Sequence, residues 1–341
     1  MRRWTIPRGA RAASGQERPS FGLWIGTICG LGVLLATSSC STGEGAPPTP
    51  PSPRVLRLTT GSPGAGFHPL GEALARTYRN AFPQLTLQVI ESPGSVRNVE
   101  AIQNGEADLG FAFADVAYVA FVGRLNDQPF ARLRGIAVLQ LNPLHVVVRV
   151  QSPIQDVWGL RGKRVGVGPP GSGTALTAEL MLHAFGIDPE SVHAEYLQFN
   201  EASTQLIDGR LDAIFVNASY PSESVTMATR KGARLLAIEG AAVDRLRHDY
   251  PFLRLTAIPA GTYPGHPQPV HTIGVDNLLV CRSDLDEDLV YELTKSFFGG
   301  LPALASEQTS LRLMDFSQGP ATPIPLHDGA ARYYRERELF R

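Results

Sequence analysis

Cysteine is nearly absent from this 341-residue chain, which has three, at positions 29, 40 and 281. Two fall in the first forty residues and Cys281 stands alone in the rest, so the body has no pair for a disulfide and no thiolate set for zinc. Cys281 sits in an apolar run and reads as a small buried hydrophobe. Charge is scarce as well: 18% of residues, a net of -1, and no dense basic run that would serve nucleic acid. The usual catalytic signatures are missing, with no GxSxG elbow, HExxH helix or P-loop lysine. His68, His145, His271 and His327 lack ligand spacing, and Asp115 and Glu72 read as surface helix charges rather than an acid–base pair. No enzyme, cofactor or metal is expected. The apolar run Phe21 to Ala36 (FGLWIGTICGLGVLLA) falls short of the ~20 residues that a spanning helix needs.

What is present begins with that run. Arg2, Arg3, Arg8, Arg11 and Arg18 precede it against Glu17 alone, and Thr37-Ser38-Ser39-Cys40 follow it. A basic stretch, a short apolar stretch and small residues make a secretory signal over 1–40, and its removal leaves a more acidic body. Cys40 resembles the acylated cysteine of a lipobox, although Thr37 stands where that pattern has Leu, Val or Ile. Residues 41–53 (STGEGAPPTPPSP) are too rich in Pro, Ser and Thr to bury a core and read as an extended spacer. The expectation is a periplasmic or extracytoplasmic protein, lipid-anchored to the membrane through Cys40.

From Arg54 onward, short apolar runs alternate with helical periodicity: VLRLTT (55–60), a helix to Ala81, LTLQVI (85–90), a helix 96–104, and ADLGFAF (107–113) before a helix near Asp115. The pattern restarts at Gly162 with GKRVGVG, a helix 174–185, HAEYL (193–197), a helix 200–208 and LDAIFV (211–216). Asn104-Gly105-Glu106-Ala107-Asp108 and Asp208-Gly209-Arg210-Leu211-Asp212 share one signature, a helix ending at Gly and an Asp opening a strand. The spacing predicts an α/β fold of two similar lobes. LHVVVRV (144–150) and HTIGVDNLLVC (271–281) would be hinge strands between lobe 1 (54–143 plus 276–341) and lobe 2 (144–275), with a ligand crevice between the lobes.

Three Gly-rich turns follow strands and open helices: Thr60 to Phe67, Ser92 to Asn98, and Gly168 to Thr174. Each offers backbone N–H groups, a helix N-terminus and hydroxyls, which suits an anion; taken singly, each is equally a tight turn with an N-cap. Gly166-Val167-Gly168-Pro169-Pro170-Gly171 fits GxGxxG, but no acidic residue closes the next strand (Glu195 lies inside it), so no dinucleotide site is expected.

The stretch from Leu58 to Ala120, with TTGSPGAGFHPLGEALA, SPGSVRN, NGEADLGFAF and Asp115-Val116-Ala117-Tyr118, resembles the TAXI family of TRAP-transporter solute receptors. Leu160 to Val165 with GPPGSGT, and PLHDGA (325–330) with Tyr333-Tyr334, resemble the later blocks of that family, in order, over nearly all of 55–336. The resemblance implies a type II periplasmic binding-protein fold with two hinge strands. It also implies capture of a small carboxylate, glutamate-like or 2-oxoglutarate-like, for delivery to a TRAP membrane permease. Thr60, Gly61, Ser62 and Phe67 would form one wall; Ser95 and Asn98 would face the solute; Ser172, Gly173 and Thr174 would cap its carboxylate; Phe215, Asn217 and Tyr220 would complete the pocket, unless these aromatics are core. Phe67 stands where the family often has Tyr. Arg97 replaces an acidic position and is either a solvated face or a cation favouring a dianion. The alternatives are an ABC-type receptor for another solute and a ligand-sensing lobe for a signalling partner.

Overall fold

Strand and helix alternate along the body of the computed structural model, which describes residues 54–62, 66–250 and 252–339. The leader, the spacer and Cys40 lie outside the described residues. The first run is β1 (Arg54–Thr59), α1 (Phe67–Ala81), β2 (Leu85–Ile90), α2 (Ser95–Asn104), β3 (Leu109–Phe113), α3 (Ala114–Phe121) and the long β4 (Leu133–Arg149). The second is β5 (Arg164–Gly166), α4 (Gly173–Ala184), β6 (His193–Glu195), α5 (Phe199–Ile207), β7 (Ala213–Asn217), α6 (Glu223–Arg230), β8 (Ala233–Leu236), α7 (Ala241–Asp249) and β9 (Leu253–Ile258). The chain returns through β10 (Val270–Arg282) to α8 (Glu287–Gly299), α9 (Leu301–Glu307) and α10 (Asp328–Glu336).

The strands of the first lobe run β2-β1-β3-β10-β4, parallel among the first three and antiparallel about β10. Those of the second run β4-β7-β5-β6, with β8 also on β4 and β9 on β10. β4 therefore serves both lobes: Leu133 to Pro143 face β10, and Leu144 to Val148 face β7. This is the two-lobed binding-protein fold. The stretch 144–150 is only the second half of a longer strand, because Pro143 sits inside β4 opposite Gly274, where the chain stays extended.

Helices on both faces explain why β3 and β7 are buried at every residue rather than alternating. α1 buries Leu70, Leu74 and Tyr78, one stripe at helical spacing, against that sheet. Tyr334 of α10 donates to the Ile136 carbonyl of β4 at 2.9 Å, and Gln308, just after α9, donates to the Pro69 carbonyl of α1, so the returning helices dock on the first lobe. The signature shared by the two halves builds the same clasp twice. Arg57 gives its backbone N–H (2.9 Å) and Nε (3.1 Å) to Asp108 Oδ2 and its Nη2 to the Gly105 carbonyl (2.8 Å). Arg164 makes the same three bonds to Asp212 and Gly209, at 2.9, 3.1 and 2.8 Å. In each lobe an arginine on one strand thus ties a helix end to the start of the next strand.

Candidate functional site

A cavity of about 200 Å3 lies where the strand ends of the two lobes meet. The first lobe contributes Gly61, Ser62, Phe67, Ser95 and Phe113; the second contributes Ser172, Gly173, Thr174, Asn217 and Ser222. Gln140, Asn142 and Asn277, on the two strands that run between the lobes, line it as well. Of the residues expected from sequence, Gly61, Ser62, Phe67, Ser95, Ser172, Gly173, Thr174 and Asn217 are brought together here.

Thr60, Asn98, Phe215 and Tyr220 are not among the lining residues. Asn98 is wholly buried: its Nδ2 donates to the carbonyls of Thr60 (2.6 Å) and Phe111 (2.7 Å), and its Oδ1 accepts the hydroxyls of Thr59 (2.6 Å) and Ser92 (2.5 Å). Every lone pair and proton of that amide serves the turns that carry the wall, leaving none for a solute. The Thr60 hydroxyl is likewise engaged with the Ile90 carbonyl at 2.9 Å. Phe215 is core, and Tyr220 packs on the second lobe's apolar cluster while Pro221, after a cis peptide bond, takes the lining position. Phe67 is positioned by Phe111 and Phe113, with ring centroids 5.4 and 5.5 Å away.

The helix ends divide into two kinds. Ser172 caps α4, its Oγ accepting from Ala175 N at 3.2 Å, and the amides of Gly173 and Thr174 open the helix at the cavity wall without intrahelical partners. At α2 the expectation changes. Val96 N and Arg97 N both donate to the Gly171 carbonyl of the opposite lobe, at 3.1 and 3.3 Å, so these donors close the lobes on each other instead of meeting a solute. Ser95 keeps its place on the wall while its Oγ accepts from Phe113 N at 3.0 Å. The contact is tight: a Cβ on Gly173 would lie 2.3 Å from Phe113 Cδ2 and 2.8 Å from Ser95 Oγ.

Charge is almost excluded. Among the described lining residues there is no Arg, Lys or His, and Glu223 is the one charged side chain. Arg97 pairs with Glu106 outside the cavity. Among the described residues no three His, Cys, Asp or Glu side chains are grouped to hold a metal, and no helix is long and apolar enough to cross a membrane.

Asp115 is not the surface charge its helix position suggested. It is fully buried, its Oδ2 accepting the Thr177 hydroxyl at 2.5 Å and its Oδ1 accepting Val116 N at 2.7 Å. Burial pushes its carboxyl up to about 6, against the pull of the Thr177 bond. Asn217 Nδ2 in turn donates to Thr177 Oγ1 at 3.4 Å, which connects the buried acid to the cavity wall. A second buried chain runs from His145. Its Nδ1 lies 3.0 Å from the Val216 carbonyl and its Nε2 2.9 Å from the Tyr263 hydroxyl, which accepts from Ser222 N at 2.8 Å. Burial holds the imidazole down to about 4, so it is neutral, with Nδ1–H donating and Nε2 accepting.

Residues 58–337 match the NMT1-like family. This chain belongs to that family. Among solved structures, the NMT1-like protein resembles the periplasmic binding protein BugD at a TM-score of 0.53 and 12% identity, over 85% of this chain and 96% of that one. It resembles XAC2383 of Xanthomonas citri, there bound to ATP, at 0.51 and 12%, over 84% and 99%. A structure described as a periplasmic transporter follows at 0.50 and 16%, over 84% and 94%. At these identities the likeness is one of fold, that of two-lobed periplasmic solute-binding proteins.

Gln140, Asn142, Asn277 and Ser222 were missed by sequence reasoning. The signal was available for the first three: amides inside otherwise apolar strands, which a sheet buried on both faces tolerates only where they have work to do.

Proposed function

We propose that this protein is the receptor of a membrane transport system, closing its two lobes on a small carboxylate and presenting the closed form to a permease of the TRAP type, as in the TAXI branch. The observation that carries this reading is the start of α4. Gly173 and Thr174 present amides, and Ser172 and Thr174 hydroxyls, at a cavity whose opposite wall, Ser62, Phe67 and Ser95, belongs to the other lobe. Helix-end donors hold a carboxylate without a cationic side chain, and a site split between lobes couples binding to closure. The chain passes between lobes at 143/144 and 275/276 on this reading, and Cys40 is acylated, with 41–53 as the spacer to the membrane. An ABC-type receptor for another small solute, which would use the same cavity and the same closure, is the second reading. Calorimetric titration with amino acids, keto acids and dicarboxylates tests capture, and co-purification with a TRAP or an ABC permease separates the two systems. Absence of binding by every carboxylate would remove the proposal.

A further inference from the structure

Four of the six buried side-chain polar atoms that have no hydrogen-bond partner among the described residues belong to the cavity lining: Gln140 Oε1, Asn142 Oδ1, Asn217 Oδ1 and Asn277 Nδ2. All four residues are at least nine-tenths buried. A buried amide atom without a partner is costly, so a cluster of them on one cavity marks where a ligand supplies the partners.

Two of these positions have a polarity that does not depend on how an amide is turned. Asn142 of β4 and Asn277 of β10 bond to each other, Nδ2 to Oδ1 at 3.3 Å. Whichever of the two donates, one amide nitrogen and one amide oxygen of the pair are left without a partner. Asn217 is fixed by its neighbour. The single proton of the Thr177 hydroxyl goes to Asp115 Oδ2 at 2.5 Å or to the Gly173 carbonyl at 2.9 Å. Thr177 therefore accepts from Asn217 Nδ2 at 3.4 Å, and Asn217 Oδ1 is the open end. Gln140, which the β4–β10 slip between Asp276 and Leu278 brings opposite Asn277, adds an amide that carries both a donor and an acceptor.

An ammonium, which only donates, always meets the unpaired nitrogen of the Asn142–Asn277 pair. A carboxylate, which only accepts, always meets its unpaired oxygen. A hydroxyl donates and accepts at one atom and satisfies the pair in either setting. The charge balance agrees. No Arg, Lys or His is among the described lining residues, so a second anion would have no cation opposite it, whereas one carboxylate at the start of α4 needs none. Resting on the carboxylate reading above, we infer that the solute is a polyhydroxylated monocarboxylate, of the sugar-acid class, whose hydroxyls are held by Gln140, Asn142 and Asn277 on the inter-lobe strands and by Asn217 on the second lobe. Successive hydroxyls along one carbon chain supply the several contacts that these amides need, and Asn217 Oδ1 takes one of their protons.

The test is calorimetric titration of the purified protein with threonate, xylonate, gluconate and galacturonate. Each is set against the unsubstituted acid, the amino acid, the carboxamide acid and the dicarboxylate of the same chain length, and against the matching neutral polyol. The best hydroxylated acid should bind at least about tenfold more tightly than its unsubstituted partner, the loss expected when hydrogen bonds to buried amides go unmade. That ratio should shrink severalfold in Asn217→Leu and, independently, in the double variant Asn142→Leu with Asn277→Leu. A ratio unchanged in both variants overturns the assignment to these amides. Equal binding of the unsubstituted acid would mean that water serves them and overturns the hydroxyl site, as does tighter binding of an amino acid, a carboxamide acid or a dicarboxylate; each of these leaves carboxylate capture standing. A neutral polyol that binds as tightly as its acid removes the carboxylate reading and with it the assignment to an acid. Binding by no member of the panel overturns both. Should a variant fold poorly, the paired ligands on the wild-type protein still decide.

Discussion

Asp115 of α3 and Thr177 of α4, residues from opposite lobes, meet at 2.5 Å with no solvent exposure at the carboxylate. Burial raises the acid to about 6 in the folded protein, above its unfolded value, so its contribution to stability is complete below about pH 4 and is lost as pH rises through about 6. Replacing Asp115 by Asn should remove that loss. Measured by denaturant titration, the stability of Asp115→Asn relative to wild type should rise between pH 4 and 6.5, by up to about 3 kcal/mol. A difference that does not change with pH would contradict the coupling.

His145 has the opposite sign. Its folded value is held down to about 4, so its contribution is present above about pH 6.5 and is lost as pH falls towards 4. Tyr263 joins this neutral imidazole to Ser222 on the cavity wall. Tyr263→Phe should leave both Ser222 N and His145 Nε2 unpaired, lowering thermal stability by about 1–3 kcal/mol at pH 7. No change in melting temperature would mean the chain does not hold that wall.

Gly173 packs directly against the other lobe. Because a Cβ there would overlap Phe113 and Ser95, Gly173→Ala should keep both lobes folded yet stop full closure. The expected result is unchanged circular dichroism with solute affinity reduced by about tenfold or more. Solution scattering should then show no contraction on adding solute.

Removing the hydroxyls of Ser172 and Thr174 together tests the carboxylate end. The double alanine variant should weaken a carboxylate solute by about 1–3 kcal/mol. Unaltered affinity by calorimetry would place the carboxylate elsewhere in the cavity.

Cys40→Ser tests the anchor. Unacylated protein should move from the membrane fraction to the soluble extracytoplasmic fraction, because a lipid chain is the attachment proposed. Retention in the membrane would point to an uncleaved leader.

Periodicity and turn chemistry alone were enough for the alternating elements as far as β7, the repeated Gly–Asp signature and the three loops, but not for α6, β8, α7 and β9. Those features are local: a helix that must stop at Gly105 or Gly209, and an Asp three residues later, are set by neighbours in the chain. Whether a loop's donors reach a solute was not local. The amides of Val96 and Arg97 look free in sequence, yet they are taken by Gly171, 75 and 74 residues away along the chain. Asn98, after a Gly-rich turn, and Asn217, at the end of β7, are the same residue type, but one is consumed inside its lobe while the other lines the cavity and has an oxygen with no partner among the described residues. Asp115, read as a solvated helix charge, became buried only when the second lobe placed Thr177 over it. Gln140 came to lie opposite Asn277 through the β4–β10 bulge, a register between strands more than 130 residues apart. The sequence by itself determined which elements form and which residue types stand at their ends, because propensity and capping act over a few residues. The packing of the lobes decided which of those groups remain unpaired, because each hydrogen bond goes to whichever partner the tertiary structure brings within about 3 Å.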